Sequence, residues 1–264
     1  MKTLHRMLLH AIAASFVSAA EPATPAMSAS ELAARLNAFQ QDGSSHVRLK
    51  MEIQGATKTV LQLQIKQRRT SASTEIVYQV LWPKERMGGS VLLRKFGNQA
   101  ATGTLFVPPG PLRTLDAAQM KEPLFGSDLS HADVIENFFA WERQTIVGTE
   151  IVDRVSCQVL ESKPGGGERS PYAAVRSWID VRRLVPLRVE KYAASGQLVR
   201  RIDTTRVVTS DGRHLPANLT VSSPQKGSFT ELDGSRLKRG VSYADREFTP
   251  DGLKEVTTPR STPE

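Results

Sequence analysis

Apolar residues recur with two different periods along this chain. From Met27 to Gly43, MSASELAARLNAFQQDG places Leu32, Leu36 and Phe39 at helical spacing. Ser28 or Ser30 can cap that stretch and Gly43 stands just past its end, so it predicts a first helix. From His46 on, the period is two. Val47, Leu49, Met51 and Ile53 alternate with polar residues in HVRLKMEIQ. Leu61, Leu63 and Ile65 do so in VLQLQIKQ, and Ile76, Tyr78, Val80 and Trp82 in EIVYQVLWP. Each run predicts a strand with one apolar face. Gly55 and TSAST are short turn signals, so these strands should pair as antiparallel hairpins.

The second half repeats the theme. SCQVLES, AVRSWIDV, PLRVEKY, LVRRIDTTRVV, LPANLTVSS and SFTELD read as strands. PGGGE, ASGQ, SDGRH and PQKG supply turn chemistry between them. No Pro/Ser-rich linker divides the chain, so residues 27–255 are expected to form a single domain, with 256–264 as a disordered tail. The predicted class is mainly β with a few helices. A long antiparallel sheet should coil into a half-open β-barrel, because strands twist. The first helix and a mid-chain segment are available to cover its concave face.

One mid-chain stretch, LFGSDLSHADV, collects Ser127, Asp128, Ser130, His131 and Asp133 within a few positions. Ser130-x-x-Asp133 ahead of VIENFFAW has the capping-box spacing, with Val134, Ile135, Phe138 and Phe139 as the apolar face of the helix it would start. Gly126 permits a tight turn with positive φ. A serine hydrolase built from Ser127, His131 and Asp128 would want a nucleophile elbow, which FGSDLS does not match. A metal site from Asp128, His131 and Asp133 lacks paired histidines or thiolates. No catalytic residue, metal or cofactor is therefore expected, and the protein reads as a non-enzyme. His46 and His214 fall in strand-like segments as half-exposed residues, and Cys157, the single cysteine, as a core residue with no disulfide partner.

Composition narrows the picture. The 264 residues are 39% hydrophobic and carry 35 Lys and Arg against 27 Asp and Glu, a formal charge of +8. The basic residues are dispersed and aromatics are only 6%, which argues against a nucleic-acid partner. Lys2 and Arg6, then an apolar stretch to Val17, then Ser18, Ala19 and Ala20 follow the order of a secretory signal peptide. Residues 1–20 are expected to be removed, with cleavage as late as Ala26 as the alternative. The mature protein is then expected in the periplasm.

WPKERMGGSVLL, LFVPPGPLRTL and LFGSDLSHADV, in that order, resemble the signature of the outer-membrane lipoprotein-sorting protein family, the LolA-like group. Pro83, Gly88 and Leu92 fit the first element, Phe106, Val107 and Pro108 the second, and Phe125, Gly126, Ser127, Asp128 and Asp133 the third. RSWIDVRRLVPLRVEKYAASGQLVRRI is similar to the family's paired strands through Trp178, Ile179, Asp180, Pro186, Tyr192 and Gly196, and REFTPDGL to its ending. The chain departs from the pattern where TLFVP lacks the usual Trp and Tyr, and where His131 replaces an aromatic. The resemblance implies a half-open barrel whose apolar concavity binds lipid or lipoprotein acyl chains. The function expected is a periplasmic carrier or chaperone, for transport or sorting to the outer membrane. A lipid- or lipoprotein-sensing regulator of the same fold is the alternative. An inner-membrane exporter or an outer-membrane acceptor would be its protein partner, and the carrier itself is expected to be a monomer. Leu49, Met51, Ile53, Leu61, Leu63, Ile65, Tyr78, Val80, Trp82 and Trp178 are the expected cavity lining.

Overall fold

A computed structural model describes residues 27–40 and 43–257. The expected signal peptide, including its later limit at Ala26, lies outside the described residues, as does 258–264 of the expected tail. Helix α1 spans Ala29–Gln40 and buries Leu32, Ala33 and Leu36. The Glu31 amide donates to Ser28 Oγ at 3.2 Å, so Ser28 is the cap. The strands are β1 (Gly43–Gln54), β2 (Lys58–Arg69), β3 (Ser73–Trp82), β4 (Ser90–Phe96), β5 (Thr102–Phe106) and β6 (Arg113–Leu115). After a crossing segment come β7 (Arg143–Val152), β8 (Val155–Lys163), β9 (Ala174–Asp180), β10 (Val185–Tyr192), β11 (Leu198–Ser210), β12 (Arg213–Ser222) and β13 (Phe229–Arg239).

These strands form one antiparallel sheet in the order β6-β5-β4-β3-β2-β1-β13-β12-β11-β10-β9-β8-β7. The chain starts at the middle of the sheet, reaches one edge at β6, crosses to the other edge at β7, and returns until β13 pairs with β1. β6 and β7 do not pair, so the coiled sheet stays open, as expected for a half barrel. Turn chemistry fixes the hairpins locally. Asp211 and Gly212, with φ 52° and 70°, join β11 to β12 in the doubly left-handed turn that suits twisted strands.

Directly opposed residues of an antiparallel pair share a face, so the register traces the concave wall. Leu49, Leu63 and Val80 are in line, and so are Ile65, Tyr78, Val91 and Leu105. On the other wing Val221, Ile202, Val189, Ser177, Leu160 and Ile146 continue the same face. Two covers occupy this face. α1 with Phe138, Phe139 and Trp141 packs on Leu160, Val175, Ile179 and Val189. Met120, Leu124, Leu129 and Ile135 of the crossing segment pack on Ile65, Ile76, Val91, Leu93 and Leu115.

The outer face is dressed differently. Two short helical turns, Asp245–Phe248 and Asp251–Lys254, lay Phe248 and Leu253 on Val77 and Leu92. Beneath them Gln64, Gln79 and Ser90 are buried and donate to the carbonyls of Thr257, Glu255 and Leu253 at 2.9, 3.0 and 2.7 Å. Thr257, within the segment expected as a tail, also donates from Oγ1 to Glu247 at 2.8 Å. Cys157 is buried with Val152, Val159, Trp178, Val185 and Leu187 in a small cluster on the outer face of the far wing.

Candidate functional site

The crossing segment is a strap tied to the sheet at three places. Its short helix α2 (His131–Ile135) starts at Ser130 with the expected capping box. The Asp133 amide donates to Ser130 Oγ at 3.1 Å, and the Ser130 amide donates to Asp133 Oδ2 at 2.7 Å. Gly126 has the expected positive φ, 86°. The helix is shorter than VIENFFAW predicts. Glu136 and Asn137 adopt non-helical backbone, and Phe138–Ala140 forms a separate turn. The break lets Phe138 and Phe139 turn toward α1 while Ile135 stays on the opposite cluster.

Each tie is polar. Asp128 accepts from Ser228 Oγ at 2.8 Å and Thr230 Oγ1 at 2.9 Å, anchoring the turn to β13. Asp133 lies between Lys191 of β10, 2.9 Å away, and Arg200 of β11, 3.0 Å away, and accepts from Tyr172 at 2.6 Å. Lys95 of β4 pairs with Glu136 at 3.2 Å and Glu168 at 2.6 Å. Burial opposes ionisation of Asp133, but Lys191, Arg200 and its hydrogen bonds outweigh it and hold the carboxyl well below the usual range. At Glu136 burial wins and the pKa is raised.

The residues that resemble a triad are spent on these roles. Ser127 Oγ accepts from the Leu129 amide at 3.2 Å, Asp128 is tied to β13, and His131 Nδ1 is 3.2 Å from the Gln119 carbonyl. Burial lowers the pKa of His131. Among the described residues no group of three or more His, Cys, Asp or Glu could hold a metal ion.

Eight of the ten expected lining residues stand on the concave wall. Leu49, Met51, Ile53, Leu61, Leu63 and Val80 gather around Phe125 of the strap, while Ile65 and Tyr78 belong to the adjoining cluster. Burial pushes the Tyr78 phenol up to about 12, so it stays neutral. The two tryptophans are elsewhere. Leu81 is an extra residue in β3, since Leu63 faces Val80 while Gln62 faces Trp82. This bulge reverses the alternation and leaves Trp82 at the rim, 48% exposed. Trp178 points to the outer face, where its Nε1 donates to Glu150 at 2.8 Å. In WID both Trp178 and Ile179 are apolar, so the phase of β9 could not be read from pattern, and Ile179 holds the inner position. His46, expected half-exposed, is buried on the outer face with Nε2 3.2 Å from Gln64 Oε1, whereas His214 is exposed.

The strap does not fill the mouth of the concavity. A cleft of about 450 Å³ opens there, lined by Ile53, Leu105, Val107, Pro123, Phe125 and Gly126, with Thr59, Arg86, Glu122 and His131 as its polar groups. A second cleft of about 430 Å³ flanks the strap at Ala117, Met120, Ala132 and Pro171. Phe125 projects from a backbone with φ 53°, a left-handed conformation costly for a bulky residue. Its carbonyl accepts from Arg86 Nη2 at 3.0 Å. Arg86, in the WPKERMGG turn, and Glu122 carry no pattern signal in the sequence, because neither lies in a periodic segment.

A family model described as an uncharacterized protein matches residues 105–255. Three solved structures have the same fold. A DUF1329 family protein from Desulfovibrio piger is 21% identical, with a TM-score of 0.79 over 85% of this chain and 97% of that one. A domain assigned as an outer membrane lipoprotein-sorting protein from Vibrio parahaemolyticus is 20% identical, with a TM-score of 0.77 over 86% and 98%. A LolA superfamily protein from Nitrosomonas europaea is 18% identical, with a TM-score of 0.68 over 86% and 100%. A search of curated proteins finds no match.

Proposed function

We propose, from the premise that this chain belongs to the family whose model matches residues 105–255 and shares its fold with a LolA superfamily protein, that it is a periplasmic, non-enzymatic carrier that shelters acyl chains of a lipid or lipoprotein. The observation that carries this reading is the open apolar cleft at Ile53, Leu105, Val107 and Phe125, where the strap meets the wall. Its volume falls within the range of small-molecule sites.

The energetics suit exchange between strap and guest. Burying the four strap side chains Met120, Leu124, Leu129 and Ile135 is worth on the order of 6–12 kcal/mol, and roughly ten methylenes are worth about 8 kcal/mol. An acyl chain can therefore replace the strap's apolar contacts at near balance. The polar ties favour reversibility. A buried ion pair contributes little net stability, because its charges recover hydration when they separate. The ties thus fix where the strap rests without holding it shut. Leu49, Met51, Ile53, Leu61, Leu63, Ile65, Tyr78 and Val80 form the wall a guest would meet. A membrane exporter or acceptor would load and unload it.

The test is direct. Mature protein purified from the periplasm is extracted and its small molecules are identified by mass spectrometry. Copurifying acyl lipid, or saturable uptake of one by the delipidated protein, is the expected result. Neither retention nor uptake of any acyl compound would overturn the carrier reading.

A further inference from the structure

The mouth cleft is apolar for most of its lining but holds two opposite charges. Arg86 stands in the turn between β3 and β4, and Glu122 precedes the strap's tight turn. Neither makes an ion pair among the described residues, although both line the same cleft. Arg86 uses one N–H on the Phe125 carbonyl at 3.0 Å. A guanidinium has five N–H donors arranged as a fork, so a face suited to phosphate remains. Glu122 is exposed at the cleft and offers an acceptor for an ammonium group. His131 adds no charge. Burial lowers its pKa, and with Nδ1 directed to the Gln119 carbonyl its neutral ring is held in place. The left-handed backbone at Phe125 aims the ring into the cleft beside Arg86. Local strain of this kind is maintained only where the surroundings impose it.

We infer that the mouth cleft is a headgroup-reading site for a single-chain phospholipid whose phosphate is next to an ammonium. The phosphate engages Arg86, the ammonium engages Glu122, and the acyl chain runs past Phe125 onto Ile53 and Leu105. One chain rather than two is indicated by a cleft in the lower part of the small-molecule range. Charge-assisted contacts are about twice as strong as neutral ones, and a bidentate guanidinium adds geometric selection. This inference rests on the carrier reading and specifies its guest.

Isothermal titration calorimetry on the full mature protein can test it with three probes sharing one acyl chain. They are lysophosphatidylethanolamine, lysophosphatidic acid and monoacylglycerol, each below its micelle concentration. The expected order of affinity is phosphoethanolamine, then phosphate, then neutral. Arg86→Gln should weaken both phosphate-bearing probes roughly tenfold to a hundredfold and leave monoacylglycerol unchanged. Arg86→Lys should recover part of the loss, which a folding defect would not do. Glu122→Gln should remove only the advantage of phosphoethanolamine over phosphate. Equal binding of all three probes, or an Arg86→Gln loss shared by monoacylglycerol, would overturn the headgroup assignment while leaving the carrier reading intact. Failure of every probe to bind would overturn the headgroup assignment, and the carrier reading falls with it only if the protein also retains and takes up no other acyl compound.

Discussion

The concave face has two covers, and they are built on different principles. α1 lies over the far wing through Leu32, Ala33 and Leu36, joined by Phe138, Phe139 and Trp141 in a buried aromatic cluster. The strap lies over the near wing with its own apolar set, but Asp128, Asp133 and Glu136 tie it to β13, β10, β11 and β4. Apolar contact is non-directional, and its loss always costs area. Ionic contact is directional, and separating both partners into water is much cheaper than removing one of them. Under the proposed carrier function, the first cover is a permanent part of the core, and the second rests in one place and gives way to a guest.

The sharpest way to break this contrast is at Asp133. Asp133→Asn strands Lys191, whose side chain is 1% exposed, together with Arg200. Stability should fall by about 3–5 kcal/mol, a drop in Tm of roughly 10 °C for a domain of this size. Thermal denaturation reads the drop. Acyl-chain affinity measured on the folded variant should rise, because the resting strap competes less well. Unchanged stability would mean that Asp133 does not fix the position of the strap. Leu36→Ala in α1 should cost about 2–5 kcal/mol with no gain in affinity. A rise in affinity there would make α1 a movable cover too and erase the distinction. Phe125→Ala should reduce affinity for a single-chain lipid about tenfold, one aromatic contact's worth, beyond any loss of stability from its packing on the wall. Calorimetric titration measures that loss.

The smallest effect is a pH dependence. Burial lowers the pKa of His131 on the strap and of His46 on the outer face. The folded state thus disfavours the protonated rings. Stability is complete above their unfolded value near 6.5 and is lost as pH falls through it, by at most about 1.4 kcal/mol per ring per pH unit. Glu136, with a raised pKa, acts in the opposite sense. Tm followed from pH 7.5 to 5.5 should decline less in His131→Gln than in the parent chain. Parallel curves would show that His131 is not held neutral by the strap.

Much of this was legible without coordinates because it depends on short-range physics. The alternation in HVRLKMEIQ and VLQLQIKQ needs only the two-residue repeat of a strand, and β1 and β2 pair with Leu49 opposite Leu63. The capping box at Ser130 and Asp133 spans four residues, so spacing alone specifies it. The family motifs pointed to the open LolA-like sheet for the same reason, since they mark turns and strand ends. The failures came where alternation slips or where both faces are covered. One bulge at Leu81 carried Trp82 out of the wall. Trp178 and Ile179, both buried on opposite sides of β9, left the phase of that strand undetermined.

The amino-acid sequence by itself therefore determined nine of the thirteen strands, the turns between them, the first helix and the self-contained cap of the strap, because each is decided by residues a few positions apart. Only the tertiary structure decided that β1 closes on β13, that Asp133 meets Lys191 and Arg200, and that Arg86 and Glu122 share one cleft with Phe125. Those meetings join residues from 36 to 194 positions apart. They depend on how a twisted sheet coils and on which segment must cross it, and no local period encodes that.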